Sequence, residues 1–431
     1  MRQRMPRNRD RDGFGRKGVN RKMTKVEQKI VPLNGDEAVA FAAKQCDVDV
    51  VAAYPITPQT IIVEKFSEYV ADGEVDTAFV CVESEHSAMT CSITASATGA
   101  RTFTATASAG LALMHEMLGV ASGCRTPVVM AVANRALSAP INIHCDHSDA
   151  MAERDMGWIQ IYTENSQEAY DSIIQAFKIA ENFDVMLPTM IGLDGFVLSH
   201  TLENVNILPD EAVKKFVGIR QVPRVMNHEG ELVPFKLDPE NPLTIGPLDL
   251  HDYYFEHKRQ QEEAMRKALD VIKKVHDEYA KQSGRSYGNG LVEAYRLDDA
   301  EIATVCIGST AGTVKTVVDE LRENGVKAGL LKIRSFRPLP VKDIASNLSG
   351  KKAVAVMDRA CSFGGNGGPM FHEIRHVVYD LLDRPKLVNY IYGLGGRDTP
   401  PYMIDGIYKE LQKIAETGQI ENTVQFIGVR E

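Results

Sequence analysis

From about Lys29 to Leu198, short apolar runs rich in Val, Ile and Ala alternate with segments whose apolar positions recur at helical spacing. The runs predict strands at Val48–Ala53, Thr77–Val82, Arg101–Thr106, Pro127–Ala133, Ile159–Tyr162 and Val185–Leu193. The intervening periodicity predicts helices at Gly35–Lys44, Pro58–Ala71, Glu85–Thr98, Leu111–Ser122 and Gln167–Asn182. Glu85–Thr98 is built mostly of Ala, Ser and Thr, so it is expected to pack closely against a sheet or another subunit. Between Thr201 and about Pro247 the rhythm fades and Pro, Gly and Asn rise, which reads as an irregular excursion. His251–Gly284 then reads as one long polar helix with an apolar stripe of Tyr254, Ala264, Met265, Leu269, Ile272, Val275 and Tyr279, linking two units. A second series follows. Its strands are Ile302–Ile307, Ala328–Ile333, Ala353–Met357, Leu387–Tyr392 and Gln425–Val429; its helices are Gly312–Asn324, Val341–Leu348, Pro369–Leu382 and Tyr402–Glu416. Strands separated by helices imply parallel sheets covered on both faces, hence two doubly wound α/β domains.

One corner stands out in this pattern. Val48–Ala53 runs into Tyr54-Pro55-Ile56-Thr57-Pro58-Gln59-Thr60, with Thr57 expected as N-cap and Pro58 as first helical residue. Such a strand-to-helix corner presents amide groups and a positive dipole end to anions. A simple well-capped helix is the plainer reading of the same residues.

Composition narrows the class. At 431 residues the chain exceeds one ordinary core. A hydrophobic share of 44% with 25% charged residues is globular, and no apolar run is long enough for a membrane-spanning helix. Residues 1–22 hold nine Arg/Lys against two Asp, so the rest is more acidic than the overall charge of -9 suggests. An acidic body argues against a nucleic-acid surface. The basic start lacks the apolar core of a secretory signal and the apolar face of a transit peptide; it reads as a disordered extension over 1–28, with Met23 as an alternative start. Seven cysteines, odd in number and without a Cys-x-x-Cys pair, fit a reducing, cytoplasmic compartment and no cluster held by this chain. Most are expected as small buried apolar groups.

Ligands of an open parallel sheet bind at the carboxyl ends of its strands. There the chain places Thr57, Glu83-Ser84-Glu85-His86, Ala107-Ser108-Ala109-Gly110 and Asn134-Arg135: a hydroxyl, a carboxylate, a small loop and a cation. Arg135 stands alone among apolar neighbours and needs an anion. Glu83, Glu85 or Asp146 could supply it internally; a substrate carboxylate is the other reading. Glu85 reads equally as a first-turn acid favoured by the helix dipole, with Ser84 as N-cap. Asp146-His147-Ser148-Asp149 fits no metal-ligand spacing, and capping by Ser148 or Asp149 is expected. The loops Ser362–Pro369 and Gly393–Thr399 are glycine-rich but match neither nucleotide fingerprint, so tight turns are expected there rather than phosphate cradles.

Taken together, Tyr54–Pro58, Glu83–His86, Asn134–Pro140 (Asn-Arg-Ala-Leu-Ser-Ala-Pro) and Asp146–Asp149 resemble the α subunits of the 2-oxoacid:ferredoxin oxidoreductases, the pyruvate enzymes most closely. Arg334–Pro340, Met357-Asp358-Arg359 and Tyr392–Asp398 extend the likeness, which covers about Val31 to Val429 but not residues 1–28.

The resemblance implies a thiamine-diphosphate pyrimidine-type domain with its excursion over 29–250, a helical linker over 251–290 and a transketolase C-terminal-like domain over 291–431. It implies thiamine diphosphate shared with a β subunit. That subunit would carry the diphosphate and Mg²⁺ motif, Gly-Asp-Gly followed by Asn, which this chain lacks. A γ subunit, an iron–sulfur δ subunit, ferredoxin as electron acceptor and coenzyme A as acyl acceptor complete the implied set. Glu85 matches the glutamate that hydrogen-bonds the aminopyrimidine ring and favours the tautomer that takes the thiazolium proton. Thr57 matches a threonine contacting substrate, Arg135 the arginine gripping the substrate carboxylate, and Pro55 lies with the cofactor-binding residues. His144-Cys145 departs from the family pattern and leaves pocket shape, and with it the identity of the oxoacid, open. Pyruvate is expected; 2-oxoglutarate or a branched-chain oxoacid is the rival, and a non-catalytic structural subunit is the rival of another class. The missing dinucleotide fingerprint disfavours a dehydrogenase.

Overall fold

A computed structural model describes residues 26–430. The expectations of a disordered start and of Met23 as its alternative fall outside those residues. Gln28, at the border, donates to the Ser283 carbonyl at 2.7 Å.

Two sheets organise the chain. From edge to edge the first runs Ser335–Arg337, Ile159–Tyr162, Thr189–Asp194, Val129–Asn134, Thr102–Thr106, Val50–Ala53 and Ala78–Cys81. All neighbours are parallel except the first pair. The chain leaves Val50–Ala53 toward one edge and returns at Thr102–Thr106 on the other side. This reversal opens a crevice at the carboxyl ends of those two strands. The second sheet runs Val292–Tyr295, Ala328–Ile333, Ile302–Cys306, Ala353–Asp358, Lys386–Ile391 and Val424–Phe426, with only the first strand antiparallel.

Most elements fall where periodicity expects them, and the additions have a common cause. Lys29–Leu33 pairs with Glu203–Ile207, inside the stretch expected to be irregular. Arg224–Met226 and Leu232–Pro234 form a small hairpin there, and Asp210–Val217 is a helix. Ser335–Arg337 leaves the second series and completes the first sheet beside Ile159–Tyr162. The strands among these segments are short and pair antiparallel, so they carry no continuous buried run to read.

The long helix spans Tyr254–Ser283 and ends on Gly284 in the left-handed conformation. Its stripe is buried at Ala264, Ile272, Val275 and Tyr279 as expected, while Tyr254 is exposed. Its last turns lie on helix Ser166–Ala180 through Asp171, whose carboxylate accepts from Tyr279 Oη (2.5 Å), Tyr287 Oη (2.6 Å) and Arg285 Nε (2.6 Å). One apolar cluster runs from Ala38 to Val378 through both sheets; a second covers the outer face of the second sheet. Among the described residues no helix is long and apolar enough to cross a membrane.

Candidate active site

The Tyr54–Thr60 corner folds differently from the capped helix expected. The helix begins at Thr60, its cap position is Gln59, and no side chain caps it. Gln59 is fully buried and donates to the Ala105 carbonyl at 2.6 Å, while its main-chain N–H reaches the Ile56 carbonyl at 2.9 Å. That buried amide ties the turn to the neighbouring strand, and the helix starts two residues later than expected. Thr57 is therefore not a cap. It is exposed in the loop, with Pro55 exposed beside it, and its carbonyl accepts from Arg135 Nη1 at 2.9 Å.

Glu85 opens helix Glu85–Ala97, and the Ser84 hydroxyl accepts from Ser87 N–H, so the expected cap is present. The helix buries Ala88, Met89, Ser92, Ile93 and Ser96 against the sheet; small side chains permit that approach. Glu85 itself is only 6% exposed, and no described donor hydrogen-bonds its carboxylate. Its floor is Gly110, where a Cβ would sit 2.6 Å from Glu85 Oε1 and 2.6 Å from Thr106 Oγ1. Thr106 Oγ1 is buried and also lacks a partner. The Glu85 residue is buried, yet its carboxylate is not among the fully enclosed atoms, so it stays reachable by a donor that a ligand brings.

Arg135 follows strand Val129–Asn134 and is 7% exposed. Its Nε donates to the Asn142 carbonyl at 2.9 Å and its Nη1 to the Thr57 carbonyl. None of the three acids proposed as internal partners pairs with it. Glu83 accepts from Ser87 Oγ, Asp146 accepts from Ser148 N–H and Oγ, and Glu85 faces Gly110. Among the described residues this buried guanidinium forms no ion pair, and its fork is only partly used.

Asp149 links these parts, a role that sequence reasoning missed. Its carboxylate accepts from Ser108 N–H (2.9 Å), Arg135 N–H (3.0 Å), Asn134 Nδ2 (2.8 Å) and Ala150 N–H (2.7 Å). Burial pushes its carboxyl up to about 6, against the lowering pull of those four donors. It therefore fixes the first turn of helix Ser108–Leu113 under Glu85 and the start of the Arg135 loop together. The expected capping by Ser148 or Asp149 is replaced: the cap position is His147, and Asp146 takes the Ser148 amide. Nothing in Asp146-His147-Ser148-Asp149 sets Asp149 apart from Asp146 in sequence.

Behind the site, His147 Nε2 lies 2.7 Å from Asp194 Oδ1 at the end of strand Thr189–Asp194. Asp194 also accepts from Ser309 Oγ (2.5 Å) and Arg359 Nη1 (2.8 Å), both from the second sheet's side. Although burial opposes it, the attraction of His147 and Arg359 holds its carboxyl well below the usual range. Cys145, His147 and Asp194 lie close enough to suggest a metal cluster. Arg359 already supplies the cation there. The cysteines divide differently from the expectation: only Cys46, Cys145 and Cys306 are fully buried, and Cys81 is exposed.

Neither glycine-rich loop is left free for phosphate. Asp358 occupies the amides that open helix Pro369–Tyr379, accepting from Met370 (2.8 Å) and Phe371 (3.0 Å), so that helix end carries its own anion. The Gly393–Thr399 loop packs on the segment after Arg135, where Gly396 N–H donates to the Cys145 carbonyl at 2.6 Å.

Comparison with known proteins agrees in extent with this architecture. The family described as "Pyruvate flavodoxin/ferredoxin oxidoreductase, thiamine diP-bdg" matches residues 41–277, and "Pyruvate:ferredoxin oxidoreductase core domain II" matches 300–404. The pyruvate synthase subunit PorA of Thermotoga maritima is 51% identical over 411 residues, covering 95% of this chain and all of the relative. The protein of the same name from Methanocaldococcus jannaschii is 52% identical over 408 residues, again 95% of this chain and all of the relative. Among solved structures, the 2-oxoglutarate:ferredoxin oxidoreductase of Magnetococcus marinus superposes with a TM-score of 0.69 at 19% identity, over 88% of this chain and 65% of that one; it shares the fold.

Proposed function

The chain belongs to the pyruvate flavodoxin/ferredoxin oxidoreductase family, and from that premise we propose that it is the α subunit of a multi-subunit pyruvate:ferredoxin oxidoreductase. The reaction converts pyruvate and coenzyme A to acetyl-CoA and CO2, reversibly, with reduction of ferredoxin. One observation carries the reading: a buried carboxylate without a donor, Glu85, and a buried guanidinium without a carboxylate, Arg135, stand at one sheet edge and are tied through Asp149. Their chemistry suits a nitrogen heterocycle at Glu85 and a carboxylate substrate at Arg135.

The residues fit thiamine diphosphate on its pyrimidine side. When bound, that cofactor supplies the carbon nucleophile and electron sink for decarboxylation. Glu85 would hold its ring nitrogen by a hydrogen bond at the carboxylate. Gly110 lets the carboxylate lie flat against the first turn of helix Ser108–Leu113. Arg135 would orient the substrate carboxylate with its unused N–H groups, and Thr57 would offer its hydroxyl from the facing loop. Pro55 would line the cofactor side. On this reading residues 29–250 form the pyrimidine-type unit, 251–290 the connection and 291–431 the transketolase C-terminal-like unit. A β subunit would bring the diphosphate and Mg²⁺ site, and γ and iron–sulfur δ subunits would complete a cytoplasmic assembly.

Native purification tests this. The chain is expected to co-purify with iron-containing partners, and the complex should reduce a viologen dye on pyruvate plus coenzyme A faster than on 2-oxoglutarate or a branched-chain oxoacid. A preference for another oxoacid would reassign the substrate. An iron-free complex with no oxoacid-dependent reduction would return the chain to a structural role.

A further inference from the structure

We infer that the Gly393–Gly396 loop of the second sheet's unit is a positioning element for Arg135, setting affinity for the oxoacid from outside the catalytic unit; this rests on reading Arg135 as the substrate-carboxylate grip. Arg135 Nε is held by the Asn142 main-chain carbonyl. Asn142 in turn donates its side-chain amide to the Gly395 carbonyl at 3.1 Å and accepts from His144 N–H at 2.7 Å. Gly396 N–H donates to the Cys145 carbonyl at 2.6 Å, and Gly395 N–H reaches Asp146 Oδ2 at 3.4 Å. The loop thus holds the 142–146 segment at three points: the Asn142 side chain, the Cys145 carbonyl and the Asp146 carboxylate.

The clamp requires glycine. Gly395 and Gly396 have φ of +62° and +78°, where a side chain is strained. A Cβ on Gly395 would also lie 2.4 Å from Asn142 Nδ2, and one on Gly396 2.4 Å from His144 Cβ. Two adjacent glycines are therefore needed for the approach, which gives the loop a purpose other than phosphate binding. Because the loop touches neither Glu85 nor the Gly110 floor, its effect should fall on substrate binding and spare the cofactor side.

The experiment uses the assembled enzyme carrying Gly395→Ala or Asn142→Ala, with Arg135→Lys in parallel. KM for pyruvate should rise about ten- to a hundredfold in the first two variants, since sub-ångström misplacement of a positioning group costs on that scale. Their kcat and their affinity for thiamine diphosphate, read by cofactor titration of protein fluorescence, should stay near wild type. Should Gly395→Ala fail to assemble, Asn142→Ala keeps the main-chain carbonyl that holds Arg135 and decides alone. A raised KM in Arg135→Lys with a normal KM in the loop variants would overturn the inference; a normal KM in Arg135→Lys would overturn the grip reading itself. Parallel losses of KM, kcat and cofactor affinity would mark the loop as a general structural support and also overturn it.

Discussion

At the scale of single residues, the site is built from groups whose needs the chain leaves unmet. Glu85 is buried beside a glycine and meets no donor. A carboxylate placed at the carboxyl edge of a parallel sheet with no protein donor is available to a ligand-borne one, which argues for a ligand-facing task. Glu85→Gln should lower turnover by about 10²- to 10⁴-fold, the usual worth of a positioned proton-handling group, with assembly intact. Stopped-flow dye reduction on the reconstituted complex checks this, and near-normal turnover would end the assignment. Asp149 makes a second, pH-dependent prediction. Its folded value of about 6 stands above the ordinary aspartate value of 3.8. The folded state therefore holds the proton more tightly, and the stabilisation it brings is complete below about pH 4 and lost as pH rises toward 6. Against Asp149→Asn, which cannot titrate, wild type should lose about 3 kcal/mol of relative stability across that window, taking 1.36 kcal/mol per unit. Urea unfolding at stepped pH measures it; parallel profiles for the two proteins would refute it. The Thr57 corner shows a limit of reading residues singly. Thr-Pro before a helical run is a cap signal, but a buried Gln two positions on outbids it by anchoring the turn to the adjacent strand.

At the scale of elements, the strong helices and the central strands are legible because each carries its own period. Ala328–Ile333 and Val341–Leu348 match their expected limits to the residue. Elements without a period escape: Lys29–Leu33, Val292–Tyr295 and Ser335–Arg337 exist because a partner edge was available. The long helix lies between these cases. Its pattern announced a helix with an apolar stripe, but its seat depends on Asp171, a polar residue of another helix. Asp171→Ala would strand the Arg285 guanidinium and two tyrosine hydroxyls, at a cost of about 3–5 kcal/mol. Hydrogen exchange should then rise first in residues 264–287, while the Thr189–Asp194 strand stays protected; uniform loss of protection would show instead that the helix is part of a single cooperative unit.

At the scale of the whole molecule, the two sheets are joined by buried charge as well as by apolar contact. Lys332 and Arg334, both essentially buried, hold Glu168 at 2.6 and 2.9 Å, and Arg359 with Ser309 holds Asp194. Removing one partner of such a set leaves the others unpaired. Asp194→Ala should therefore cost about 3–5 kcal/mol and expose the Gly308–Thr310 amides to exchange. The lowered carboxyl of Asp194 also gives stability that is present above about pH 4, near the ordinary aspartate value of 3.8, and lost on further acidification. Acid unfolding of Asp194→Asn should be correspondingly less steep below pH 4, and an unchanged slope would deny Asp194 this part. Deletion of residues 1–22 should leave turnover and assembly unchanged; loss of assembly would give that basic segment a role.

The sequence by itself determined the α/β class, the order of most strands and helices, and the set of Thr57, Glu85 and Arg135 at strand ends. Local period and residue chemistry act over a few positions, and a parallel sheet brings its carboxyl ends to one edge by geometry. Only the tertiary structure decided that Arg135 lacks an internal acid, that Asp149 binds the helix start at Ser108 and the Arg135 loop, and that Gly395 and Gly396 press on Asn142 and His144. Those contacts join residues far apart in the chain. They depend on how strands stack and where two sheets meet, and no local pattern records the space left between them.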